Sequence, residues 1–111
     1  MSQAPPPPLR EKLRAIVPQL IQYSNEILYG QVWERPGLSK RDRSLITVAC
    51  LFGMSRPDFV KVHMERALEN GVTIGELSEL ITHLAFYAGW PAAMSAAQIA
   101  QSIIEAKDAN K

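Results

Sequence analysis

The sequence predicts an all-α protein of five to six helices. Apolar residues recur at three- and four-residue spacing over most of the chain, and helix-start and helix-stop residues punctuate those stripes. No run alternates apolar and polar residues with the β-branched content and hairpin turns of a strand.

With 111 residues, the chain divides by this reading into a disordered proline-rich tail, 1–8, and a single domain, 9–107. Pro5 to Pro8 favour an extended, polyproline-II-like backbone, because each ring fixes φ and removes a donor. From Leu9 to about Tyr29, Leu13, Ile16, Leu20, Ile21, Ile27 and Leu28 form one broad stripe that Pro18 interrupts. The expected solution is a short helix ending near Val17 and a second with Pro18 in its first turn. Gly30 is expected to close it as a C-cap. Gln31 to Gly37 reads as a loop anchored by Trp33 or Arg35.

Ser39, with Asp42 three residues on, predicts the start of a buried helix running from Lys40 to Gly53. Pro57 and Asp58 predict the next start, and Gly71 its end. Thr73 and Glu76 form a capping-box pattern opening a helix to Tyr87, which stops near Gly89. The last helix is expected from Pro91 to about Lys107, with Asp108 to Lys111 frayed. Ala92, Ala93, Ser95, Ala96 and Ala97 give its first turns a small-residue face suited to close approach by another helix or subunit.

Twelve basic against eleven acidic residues, a net charge of +1, give no electrostatic reason to expect nucleic acid or an anionic membrane as partner. No stretch approaches the ~20 apolar residues of a membrane span, and the start lacks a signal-peptide pattern. Cys50 is the one cysteine, so no intrachain disulfide forms, and a cytoplasmic setting is expected. Cys50 itself reads as inert packing. No phosphate-binding loop, Cys-x-x-Cys pair or metal-ligand cluster is present, and no metal or cofactor is expected.

Polar residues on apolar helices are then the candidate chemistry. Glu76, Leu80, His83 and Tyr87 make one stripe; His63 lies one turn from Phe59; Arg41, Ser44 and Thr47 share a face. A pocket where such faces meet would offer a cation, an imidazole and a hydroxyl to a small anion. Each also has a structural reading: Tyr87 as half-buried packing, Trp33 and Trp90 as core or interface anchors, the histidines as hydrogen-bond partners, and Arg41 as half of a surface ion pair.

The segments Tyr29-Gly30-Gln31-Val32-Trp33-Glu34-Arg35-Pro36-Gly37-Leu38 and Arg41-Asp42-Arg43-Ser44-Leu45-Ile46-Thr47 resemble the carboxymuconolactone decarboxylase family. So do His63, Ala67-Leu68, Asn70-Gly71-Val72-Thr73, Glu76-Leu77 and Tyr87-Ala88-Gly89-Trp90-Pro91-Ala92-Ala93, in order from about residue 18 to 97. The resemblance implies the alkylhydroperoxidase-D-like helical fold and a homo-oligomer, a trimer or hexamer. Aligned on His63, the Cys-x-x-Cys pair of that fold's peroxidase branch falls on Arg56 and Phe59, and its Glu on Ser44. Thiol peroxidase chemistry is therefore not expected, and a thiol-dependent redox role is disfavoured by the single cysteine. The implied activity is a cofactor-independent carboxy-lyase acting on a small carboxylated lactone of aromatic-compound catabolism, of the 4-carboxymuconolactone type. The alternative is a non-redox small-ligand binder or scaffold on the same fold. In the decarboxylase reading His63 is the general acid/base, and Arg41, or less favourably Arg35, binds a carboxylate. Trp33, Tyr87 and Trp90 wall the pocket, with Ser44 and His83 as further substrate contacts.

Overall fold

The computed structural model describes residues 9–109, and the proline-rich tail expected for 1–8 lies outside them. The architecture is all-α, and among the described residues there is no strand. The chain falls into two compact units, Met1–Gly37 and Leu38–Lys111.

In the first unit, α1 (Leu9–Lys12) passes into a 3-10 turn (Leu13–Ala15), then α2 (Pro18–Tyr23) begins with Pro18 in its first turn, as the proline's missing N–H requires. Gly30 does not cap this helix. The coil continues as a π-helical stretch over Ser24–Val32, and a Cβ at Gly30 would stand 3.0 Å from the Asn25 carbonyl oxygen. The glycine is there for close approach of backbone five residues away, the spacing of a π-turn. The expected loop therefore starts only after Val32. Trp33 is buried and stacks on Tyr29, ring centroids 5.8 Å apart.

The second unit holds α3 (Lys40–Gly53), α4 (Pro57–Glu69), α5 (Ile74–Ala88) and α6 (Trp90–Ala109). The Asp42 N–H donates to Ser39 Oγ at 3.0 Å and opens α3. Thr73 and Glu76 complete the capping box of α5, each side chain accepting the other's backbone N–H at 3.0 Å. Gly89, at φ 110° and ψ 148°, is the single residue between α5 and α6. That conformation is essentially restricted to glycine.

The α3–α4 corner is closed by two backbone bonds: Ser55 N–H to Phe52 C=O and Arg56 N–H to Leu51 C=O, both 3.0 Å. This is the pairing of a Schellman motif, whose left-handed position usually carries glycine. Here Ser55 occupies it, with φ of 57°. A side chain in that region costs about 1–2 kcal/mol.

The core of this unit is built from Val48 and Phe52 of α3, Val60, Met64 and Ala67 of α4, Val72, Leu77 and Ala85 around α5, and Ala93, Ala96 and Ile103 of α6. Helix α3 is less buried than its composition predicts. Only the i, i+4, i+8 stripe Ser44, Val48 and Phe52 is sealed, while Ile46, Cys50 and Met54 lie exposed on the other side. Cys50 is thus not packing: it is exposed, its Sγ 3.7 Å from Met54 Sδ.

Candidate functional site

Helix α4 turns Val60, Met64 and Ala67 into the core, and its 3.6-residue period places His63 on the flank of that stripe. His63 is half-buried. Loss of hydration on burial lowers its pKa below the ordinary 6.5, and the positive charge of Arg66, one turn on, lowers it further. The resting imidazole is therefore neutral near pH 7. Two turns further along the same flank, Asn70 Nδ2 donates to Ser44 Oγ at 2.9 Å. That bond shows the flank of α4 carrying His63 to be the one turned to α3. Ser44 is fully sealed, so its hydroxyl serves this helix–helix bond.

Arg41 stands one turn before Ser44, at the start of α3. Its guanidinium bonds to Asp42 Oδ1 at 3.1 Å and to Glu76 Oε2, joining the starts of α3 and α5. The Ser44–Asn70 pair fixes the antiparallel register of α3 and α4, which leaves Arg41 and His63 about 15 Å apart along the helix axes, at 1.5 Å per residue. The structure does not bring these two together within the chain.

His83 and Tyr87 lie outside, paired with each other at a ring separation of 5.0 Å, and Tyr87 is 78% exposed. Tyr87 is not the half-buried packing residue expected of it, because the inner face of α5 is filled by Leu77 and Ala85. Trp90 is 60% exposed and meets Phe86 edge-on at 5.9 Å. It is no core anchor in this chain. Trp33 and Arg35 belong to the first unit, where Trp33 packs on Tyr29.

Among the described residues, the second unit carries the following grooves. One, of 230 Å³, lies between the α3–α4 corner and α6, with Phe52, Val60 and Ile99 on its apolar wall and Ser55, Arg56 and Ser95 as polar neighbours. Another, of 590 Å³, runs between α5 and α6 past Ile81, Thr82 and Gln101. His63 lines neither. Arg56, Ser55 and Ser95 were not among the sequence candidates. The advance signal for Ser55 and Arg56 was the Ser-Arg-Pro run before α4, which reads equally as a plain helix start, and Ser95 was read only as part of the small-residue face of the last helix. Among the described residues no group of three His, Cys, Asp or Glu side chains converges as a metal site, and no helix is long and apolar enough to cross a membrane.

The chain is 40% identical over 83 residues to the 4-carboxymuconolactone decarboxylase of Acinetobacter baylyi, covering 75% of this chain and 62% of that protein. It is 37% identical over 79 residues to the nitrosuccinic acid decarboxylase of Metarhizium robertsii, covering 71% of this chain and 55% of the relative. The chain thus matches somewhat over half of each relative's length. The model of the carboxymuconolactone decarboxylase family matches residues 18–102, from α2 into α6 with His63 between them, and the chain belongs to that family.

Proposed function

We propose that this protein is a cofactor-independent decarboxylase of a small carboxylated substrate, of the 4-carboxymuconolactone type, working in the cytoplasm as a homo-oligomer with His63 managing the proton. The supporting observation is His63 itself: a neutral, half-buried imidazole within the segment shared with two decarboxylases. In such a reaction the bond to the departing carboxylate breaks, its electron pair passes into the conjugated lactone, and a proton returns to carbon. Arrival of the anion raises the pKa of His63, so the ring takes up the proton it later delivers.

Two exposed apolar surfaces support self-association: Phe86, Tyr87, Trp90 and Met94 around the α5–α6 corner, and Ile46 with Met54 on the outer side of α3. Monomers rarely leave such surfaces open. Arg41, Arg35, Trp33 and His83 complete the substrate site in this reading where a neighbouring copy brings them to His63, whereas Ser44, sealed in the core against Asn70, is no substrate contact.

The test is carbon dioxide release from 4-carboxymuconolactone, with nitrosuccinate as a second substrate. His63→Ala is expected to lower kcat by about 10²–10⁴-fold, the usual share of a proton-transfer group. Full turnover in that variant removes the histidine assignment; silence toward both substrates in folded wild-type protein removes the decarboxylase reading in favour of a ligand-binding scaffold.

A further inference from the structure

We propose that the groove between the α3–α4 corner and α6 binds a small monocarboxylate with a compact apolar body, held by Arg56, Ser55 and Ser95. Its volume of 230 Å³ falls below the ~300–1,000 Å³ of pockets for drug-sized ligands, so it suits a molecule of about one ring. Phe52, Val60 and Ile99 give that ring an apolar wall. The three polar residues are a guanidinium and two hydroxyls, all donors a carboxylate can use, and no carboxylate lines the groove.

Arg56 is steadied for this role. Its guanidinium lies over the Phe59 ring, 5.0 Å from the centroid. It also donates to Asp58 at a long 3.5 Å, with both side chains at least half exposed, so water screens that pair. A guanidinium carries five N–H donors, and one bond to Asp58 leaves others for a second carboxylate.

Ser55 is the sharper pointer. The corner it occupies favours glycine, and serine is held there in a left-handed conformation, φ 57°. Glycine would make the corner more stable, yet would remove the hydroxyl-bearing side chain from the groove wall beside Arg56. Strain kept at a ligand-sized groove is the pattern of a functional position. Because His63 does not line this groove, the site is independent of the proton role given to that residue above.

The experiment is a titration of the full chain with benzoate, followed by ¹⁵N–¹H shifts, with benzamide as the uncharged control. Saturable shifts are expected at Ser55, Arg56 and Ser95, with binding weakened roughly tenfold for benzamide and for Arg56→Gln. Ser55→Gly is expected to act in opposite directions, raising Tm by roughly 4 °C while weakening benzoate. His63→Ala keeps the benzoate affinity. The site is overturned by the absence of saturable shifts at those three residues. Equal affinity for benzamide, or a Ser55→Gly protein that gains Tm with benzoate binding intact, also overturns it. Loss of binding in His63→Ala moves the anion to the histidine and overturns it too.

Discussion

Asn70 Nδ2 and Ser44 Oγ, 2.9 Å apart, tie the end of α4 to the first half of α3 and so fix where His63 sits along the pair. Ser44 is fully buried, so its hydroxyl depends on this bond. Asn70→Ala leaves that hydroxyl in the core without the amide and is expected to lower stability by about 1–3 kcal/mol in urea denaturation. An unchanged midpoint would show that water replaces the amide.

The pH dependence follows from His63. Its folded pKa lies below 6.5, the ordinary value, so folding favours the neutral ring. The contribution is fully present above pH 6.5 and is lost as pH falls through the folded pKa. Wild-type protein is expected to lose stability between neutral pH and pH 5 more steeply than His63→Gln. Imidazole shifts followed by NMR in the free protein should show a midpoint under 6.5, moving upward when a carboxylated substrate binds at that ring. A midpoint above 6.5 in the free protein would contradict the burial argument.

Glu76 serves two partners: one carboxylate oxygen accepts the Thr73 N–H, the other meets Arg41. Thr73→Ala removes the cap on α5 and is expected to lower stability by about 1 kcal/mol. Glu76→Gln keeps an acceptor for the cap and weakens only a partly exposed ion pair, an effect of about 0–1 kcal/mol. Thermal melts of both variants rank the two contributions; the reverse order would make the ion pair, not the cap, the main tie.

The aromatic surface gives a mass measurement. If Phe86 and Trp90 are covered by another copy, Trp90→Glu places a charge in that interface and shifts the protein to smaller species in light scattering after gel filtration. Trp90 is 60% exposed within the chain, so the fold itself is expected to tolerate the change. Met64→Ala, in contrast, opens a cavity at a fully buried position and should cost about 2–5 kcal/mol.

Much of the fold was legible because short-range chemistry decides it. Ser39, Pro57 and Thr73 start helices where their side chains say they should, since capping needs only neighbours in sequence. Gly30 misled because the same residue serves two ends, closing a helix or admitting a close carbonyl, and only the coil's pitch distinguishes them. Cys50 and Tyr87 misled because helical spacing shows that a face is apolar without showing what covers it. His63 was legible as a polar residue beside a core stripe. Arg56 was not, because its groove exists only once α6 folds back across the α3–α4 corner.

Gly89 leaves no slack between α5 and α6. Phe86 and Trp90 stand on either side of that joint, while Ala92, Ser95 and Ile99 on the far helix form one bank of the smaller groove. A side chain at position 89 is strained at φ 110°, and relief of that strain by turning the terminal helix would change the outward aromatic corner and the inner recess together. Variation that retunes one cannot spare the other, and the two have to evolve as a unit.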